Sequence, residues 1–172
     1  MIYFTSDQHF DHHNIIQYCK RPFNNVRQMN RRIINEYNNI ITEKDTVYII
    51  GDLTLYGPTQ KGAVEQFVNK LHGKKHLILG NHDRLSPQQY LDTGILSVHT
   101  SLEINSFILV HDPAVSAIDR SKIFLCGHVH DLFKIAKNVI NIGVDVWDFK
   151  PVSLEQIEKT IKENSVKGEL NE

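Results

Sequence analysis

The sequence predicts a mixed α/β domain, and three observations carry that prediction. Short runs rich in Ile, Val, Leu, Phe and Tyr alternate with amphipathic helical patterns along the chain. Two hairpin signals fall in the second half, so the sheet structure is not purely parallel. The length, 172 residues, suits one domain with a sizeable core, and neither a repeat nor a long linker divides it.

Taken in order, the expected strands are 2–6 (IYFTS), 46–50 (TVYII), 75–79 (KHLIL), 95–99 (ILSVH), 107–110 (FILV), 123–126 (IFLC) and 139–146 (VINIGVDV). Residues 102–110 read as a hairpin turning at Asn105-Ser106, and 132–142 as another turning at Lys137-Asn138. A helix over 26–41 is expected from the stripe Met29, Ile33, Ile34, Tyr37, Ile40 and Ile41. Over 61–72, Val64, Phe67, Val68 and Leu71 repeat at helical spacing, and Gly73 supplies the stop. Ser86-Pro87 is an N-cap followed by Pro at the first helical position. Ser153 and Gln156 form a capping-box pattern that opens a last helix near 154–163, and a frayed tail is expected from there to 172. A short helix succeeds the opening loop, with Asn14 as its expected cap.

Composition narrows the function classes. Hydrophobic content is 41%, charged content 23% and formal net charge −1, which is ordinary for a soluble protein and argues against a long duplex nucleic-acid partner. No apolar run approaches the roughly 18 residues that span a bilayer, and no signal peptide is apparent, so a cytoplasmic location is expected. The two cysteines, Cys19 and Cys126, form neither a disulfide framework nor a zinc motif. Cys126 reads as a buried strand residue.

The chemistry lies in the polar residues at the end of each apolar run. IYFTS leads to Asp7 and His9, TVYII to Gly51-Asp52, and KHLIL to Gly80-Asn81-His82-Asp83. FILV leads to His111, and IFLC to Gly127-His128-Val129-His130. Five strands thus deliver metal-binding or proton-transfer groups at their carboxyl ends, the edge where open α/β sheets bind ligands. Carboxylate, imidazole and amide donors without thiolate suit Mn, Fe, Zn or Ni rather than calcium or a structural zinc. Asp7, His9, Asp52, Asn81, His111, His128 and His130 offer enough ligands for two ions if one carboxylate bridges. His72, His76 and His99 have no such pattern and read as ordinary surface or core residues. In the basic stretch that holds Lys20, Arg21, Arg27, Arg31 and Arg32, Arg31 and Arg32 read as a solvated helix face, and Lys70, Lys74 and Lys75 read as cations at a helix's negative end.

The ordered set "DQH", "GD", "GNHD", "H" and "GHVH" resembles the calcineurin-like metallophosphoesterase superfamily, whose pattern is D-x-H, G-D, G-N-H-[DE], H and G-H-x-H. The stretches "HNIIQYCKRPF" and "GVDVWDFKPVSL" look like a subgroup of small, uncapped members. The resemblance implies a four-layer α-β-β-α sandwich of two mixed sheets, with the metals at strand ends. It implies one ion on Asp7, His9, Asp52 and His130 and a second on Asp52, Asn81, His111 and His128, with Asp52 shared. It places His82 against the substrate phosphoryl group or leaving oxygen, with Asp83 orienting it. Two positions depart from the pattern: His111 is followed by Asp112-Pro113, and Asp11 stands where the subgroup often has Gly. His12 and Arg21 are candidates for substrate contact.

The expected activity is a phosphoesterase with two divalent ions, Mn first and Ni, Zn or Fe as others, that hydrolyses small or nucleotide phosphodiesters through metal-activated hydroxide. A phosphomonoesterase or small nuclease on the same site, and a non-enzymatic interaction module on this scaffold, are the alternatives. Oligomeric state is not legible in the sequence.

Overall fold

A computed structural model describes residues 1–119 and 121–167. The first sheet is built from β1 (Ile2–Thr5), β2 (Thr46–Ile50), β3 (Lys74–Ile78), β4 (Ser97–His99) and β10 (Val152–Ser153), in the order β10-β1-β2-β3-β4. Its central pairs are parallel, and β10 closes the β1 edge antiparallel. The second sheet comprises β5 (Ser101–Ile104), β6 (Phe107–Val110), β7 (Ile123–Cys126), β8 (Ile135–Ala136) and β9 (Val139–Asn141), in the order β5-β6-β7-β9-β8. The β5-β6 and β8-β9 pairs are the two expected hairpins, and β6-β7-β9 run parallel. Two mixed sheets with flanking helices are the predicted fold class.

Alternation along the strands assembles the layers. Tyr3, Val47, Ile49 and Leu77 face α2 (Val26–Ile40) and α3 (Lys61–Val68), meeting Met29, Ile33, Tyr37, Val64 and Phe67. The intervening residues Phe4, Ile50 and Ile78 face the second sheet and pack on Phe107, Leu109, Leu125 and Ile140. Strands buried on both faces read as continuous apolar runs, which is why they stood out. The last helix, α5 (Leu154–Lys167), adds Ile157 to this inter-sheet core beside β10. Val110, Phe124, Cys126 and Val139 form a third cluster. A short 3-10 segment, Pro113–Ile118, packs against β7.

Local chemistry explains the boundaries. Asn25 caps α2 by accepting from the Gln28 amide, and Ser86 caps α4 (Pro87–Leu91) by accepting from the Gln89 amide. Ser153 and Gln156 make the reciprocal bonds of the expected capping box at 3.1 and 2.9 Å. Four expectations need correction. Helix α3 ends at Val68 with Asn69 as its C-cap, short of the expected end at 72. Asn14 precedes α1 (Ile15–Tyr18) but its side chain makes no capping bond. The run 139–146 is a strand only to Asn141, because the Asn141 side chain accepts the Gly143 amide at 2.8 Å and turns the chain into a 3-10 segment, Val144–Val146. Helix α5 continues to Lys167, past the expected end at 163, and residues 168–172 of the expected frayed tail lie outside the described residues. Among the described residues, no helix is long and apolar enough to cross a membrane.

Candidate metal centre

All seven expected ligand residues lie just beyond the carboxyl ends of strands in the two sheets, and the loops that carry them are tied together. The Asp7 amide donates to the Gly51 carbonyl at 3.1 Å, and the His9 amide to the Asp52 carbonyl at 3.0 Å. The His128 amide donates to both oxygens of the Asp7 carboxylate at 3.1 Å, joining the first sheet's loop to the second's. Asp7, His9, Asp52, His128 and His130 all have positive φ, between 48° and 72°. Each such non-glycine residue costs on the order of 1–3 kcal/mol, and such strain concentrates at functional sites. Two glycines let the carboxylates seat against backbone. A Cβ on Gly80 would lie 2.6 Å from the Asp52 amide nitrogen, and one on Gly127 would lie 2.6 Å from Asp7 Oδ2. Neither fits.

The side chains fall into two clusters that meet at Asp52. On one side, His9 Nε2 lies 3.5 Å from Asp52 Oδ2 and 3.9 Å from Asp7 Oδ1. Asp7, His9 and His130 offer ligand atoms all within 4.8 Å of one another. On the other side, His111 Nε2 lies 3.3 Å from Asp52 Oδ2 and 3.1 Å from Asn81 Oδ1, and Asn81 Oδ1 lies 2.9 Å from His128 Nδ1.

The electrostatics of this packing call for a cation. Asp7 and Asp52 are both nearly inaccessible to water. Burial raises the Asp7 carboxyl above its ordinary value. For Asp52 burial acts in the same direction, but the hydrogen bond and charge of His111 outweigh it and hold the carboxyl at about 2. His111 Nδ1 donates to the Ile50 carbonyl at 2.8 Å, so Nε2 is the atom that faces the two oxygens. A bare lone pair there would oppose two acceptors. Against the lowering effect of burial, the Asp52 bond and the Asp7 and Asp52 charges push His111 up to about 9.

His9 behaves differently: burial drives it down to about 2, and neither ring nitrogen has a partner among the described residues. An unpartnered buried ring nitrogen is costly, and a coordinated divalent ion is the partner that imidazole, carboxylate and amide oxygen share. The residues present therefore fit divalent metal.

His82 lies at this cluster, its ring 5.5 Å from that of His9, and its Nδ1 is buried without a partner among the described residues. Its amide donates to Asp52 Oδ1 at 2.9 Å. His12 stands against His9 at 5.3 Å between ring centroids, with its Nδ1 also unpartnered there, and burial lowers its pKa.

Two expected roles need correction. The Asp83 carboxylate makes no hydrogen bond to His82. It accepts the amides of Asp52 at 2.8 Å, Gly80 at 2.9 Å and Leu53 at 3.2 Å, and the Tyr90 hydroxyl at 3.2 Å, so it fixes the Asp52 loop instead. Burial raises Asp83 to about 6. Arg21 is not free for phosphate. Its buried guanidinium donates to both oxygens of Asp145 at 2.7 and 2.8 Å and to the carbonyls of Asp7 at 2.7 Å and Gln8 at 3.0 Å. Asp11, two residues beyond His9, accepts from Asn30 Nδ2 at 2.6 Å and from the Tyr56 hydroxyl at 2.7 Å.

Sequence reasoning missed Asp145 and Asn141. Asp145 Oδ2 lies 3.4 Å from His130 Nδ1, leaving Nε2 for the cluster. Burial alone would lower His130, but the bond to Asp145 and one to Cys19 push it up to about 10. Asn141 Nδ2 donates to the His130 carbonyl at 2.7 Å and holds that loop. The signal for Asp145 was present: an acid after an apolar run, as at Asp7 and Asp52. Reading 139–146 as one strand hid it.

The exposed side of the centre, at Asn81 and His128, borders a cleft of 480 Å³ lined in part by Leu79, Val110, His111 and Val115.

Known proteins share this chain's sequence and architecture. The model of the family described as calcineurin-like phosphoesterase matches residues 1–159. An uncharacterized protein of Methanocaldococcus jannaschii is 35% identical over 181 residues, covering 99% of this chain and 97% of the relative. The gene 66 protein of Mycobacterium phage L5 is 23% identical, covering 84% of this chain and 86% of the relative. Among solved structures, a protein of unknown function from Aquifex aeolicus is similar with a TM-score of 0.71 at 25% identity, covering 93% of this chain and 98% of that one.

Proposed function

The chain belongs to the calcineurin-like phosphoesterase family and is a metal-dependent phosphoric ester hydrolase, and from that premise we propose that it is a phosphodiesterase working with two divalent ions. The observation that carries the reading is the position of Asp52 Oδ2, 3.5 Å from His9 Nε2 on one side and 3.3 Å from His111 Nε2 on the other. One carboxylate between two donor clusters suits a bridging role.

In this reading Asp7, His9, Asp52 and His130 hold one ion, and Asp52, Asn81, His111 and His128 hold the other. Divalent ions bound there supply Lewis acidity, polarising phosphoryl oxygens and bringing the pKa of water toward neutrality. Manganese is the first choice, with nickel, zinc and iron as the others, because the donors are mixed oxygen and imidazole. His82 faces the phosphoryl group and passes a proton to the departing oxygen. Asp83 is a positioning residue for Asp52, and Asp145 positions His130. His12 lines the substrate side next to His9 and His82. The exposure of Asn81 and His128 suits a substrate with a group on each side of phosphorus, that is, a diester.

The test measures hydrolysis of bis(p-nitrophenyl) phosphate and of p-nitrophenyl phosphate across added Mn, Ni, Zn and Mg, with metal content determined on the same samples. Two ions per chain and faster diester hydrolysis are expected. Faster monoester hydrolysis would move the chain to the monoesterases. Full metal loading without hydrolysis of either ester would remove the catalytic reading.

A further inference from the structure

A groove of 540 Å³ lies between α2 and α3, outside the metal centre, and Asp11, Arg27, Asn30, Arg31, Tyr56 and Lys70 are among its lining residues. We propose that this groove is a second phosphate-binding subsite, which takes the backbone of a single-stranded nucleic acid whose scissile ester sits at the metal centre. The proposal rests on the phosphodiesterase reading and names its substrate class.

Charge is the first argument. Arg27 and Arg31 lie four residues apart on α2 and so share a face, and Lys70 lies just past the end of α3 across the groove. All three are exposed, and none has an ion-pair partner among the described residues. The neighbouring Arg32, by contrast, is paired with Glu36 at 3.1 Å. The chain as a whole carries a formal charge of −1, so this cationic excess is local. Asp11 is the one carboxylate among the lining residues, and Asn30 and Tyr56 already engage both of its oxygens. Three cations without an ion-pair partner among the described residues, one of them Lys70 with its Nζ 5.2 Å from the Phe67 ring centroid, line one cavity and match a run of phosphates better than a neutral ligand.

Connection to the centre is the second argument. The groove reaches the metal loop at Asp11, next to His12 and two residues past His9. The Asp11 amide donates to Asn30 Oδ1 at 3.2 Å, and Asn30 Nδ2 donates back to the Asp11 carboxylate at 2.6 Å, so the loop and the groove wall form one piece. A volume of 540 Å³ exceeds what a single phosphate needs and has room for a nucleotide. Ile34, half-buried on α2, adds apolar surface to the groove wall.

The experiment compares the wild type with the triple variant R27A/R31A/K70A, loaded with Mn, on two substrates. One is a short fluorescein-labelled oligothymidylate; the other is bis(p-nitrophenyl) phosphate, whose single phosphate leaves none for the groove when it is bound at the centre. The variant should lose about tenfold or more in kcat/KM on the oligonucleotide and change less than about twofold on the small diester. Its log–log salt dependence should flatten by roughly 0.7 for each phosphate no longer neutralised. Equal loss on both substrates, or no loss on either, would overturn the subsite.

If the wild type fails to cleave the small diester, the phosphodiesterase reading has failed. Fluorescence anisotropy of the labelled oligonucleotide still reads the groove in that case: weaker binding by the variant supports it, and unchanged binding overturns it. Inorganic tripolyphosphate as competitor separates the sources of phosphate. Displacement of the oligonucleotide at concentrations below its own dissociation constant would make free polyphosphate the occupant and end the nucleic-acid assignment.

Discussion

His82 illustrates how a single side chain can be assigned by what it lacks. Its backbone amide binds Asp52 Oδ1 at 2.9 Å, yet its buried Nδ1 has no partner among the described residues. Its ring lies 5.5 Å from that of His9, and in the proposed reading it faces substrate rather than metal. The proposed role for a group so placed is to act on substrate. His82→Ala should therefore lower turnover by about 10²–10⁴-fold, the usual range for a positioned acid, while metal content stays near that of the wild type. Parallel kinetics and metal analysis check this, and loss of metal in the variant would make His82 a ligand. Asp52 is the opposite case, since its Oδ2 lies 3.5 Å from His9 Nε2 and 3.3 Å from His111 Nε2.

At the scale of elements, the strand ends do most of the positioning, and a buried ion pair locks them. Arg21, in the connection after α1, reaches the carbonyls of Asp7 and Gln8 and the carboxylate of Asp145, joining the loop after β1 to the one after β9. Arg21→Met would leave Asp145 buried without its cation, and breaking such a pair costs about 3–5 kcal/mol. Urea unfolding should show that loss, and Asp145→Asn in the same chain should recover part of it, because the two changes act on one interaction. A loss below about 1 kcal/mol for Arg21→Met would mean that the pair contributes little.

Arg21 and Asp145 also mark where sequence reading stops. The candidate ligand residues are legible because each sits just after an apolar strand, a local pattern. Most strands fell within a residue or two of expectation for the same reason. The partnership of Arg21 with Asp145 spans 124 residues and leaves no local trace. Strand β10 has two residues, too few for a period to show, and it pairs only because α5 and β1 hold it. The Asp83 carboxylate was misassigned for a related reason. Adjacency to His82 suggested an imidazole partner, but the backbone amides of Asp52, Leu53 and Gly80 converge on the carboxylate in space.

Seen across the molecule, the centre sits at the junction of the two sheets. Asp7, His9, Asp52 and Asn81 come from the loops of the first, and His111, His128 and His130 from those of the second. Hydrophobic packing of Phe4, Ile50 and Ile78 on Phe107, Leu109 and Leu125 joins the sheets, which predicts a fold that persists without metal. Metal bound at the proposed centre would add a clamp at one edge. Binding to the folded state alone stabilises it by about 2.7 kcal/mol at each site when free ion stands at a hundred times its dissociation constant.

Chelation should therefore lower the melting temperature of an intact, still cooperative fold, and adding Mn back should restore both the melting temperature and activity. Asp52→Asn would weaken the ligand proposed to be shared, so its melting temperature should respond little to Mn across the range that stabilises the wild type. If chelated protein instead loses its cooperative transition, the sheets require the ions to hold together. If Asp52→Asn is stabilised by Mn as fully as the wild type, the two clusters bind metal independently and Asp52 is not their common ligand.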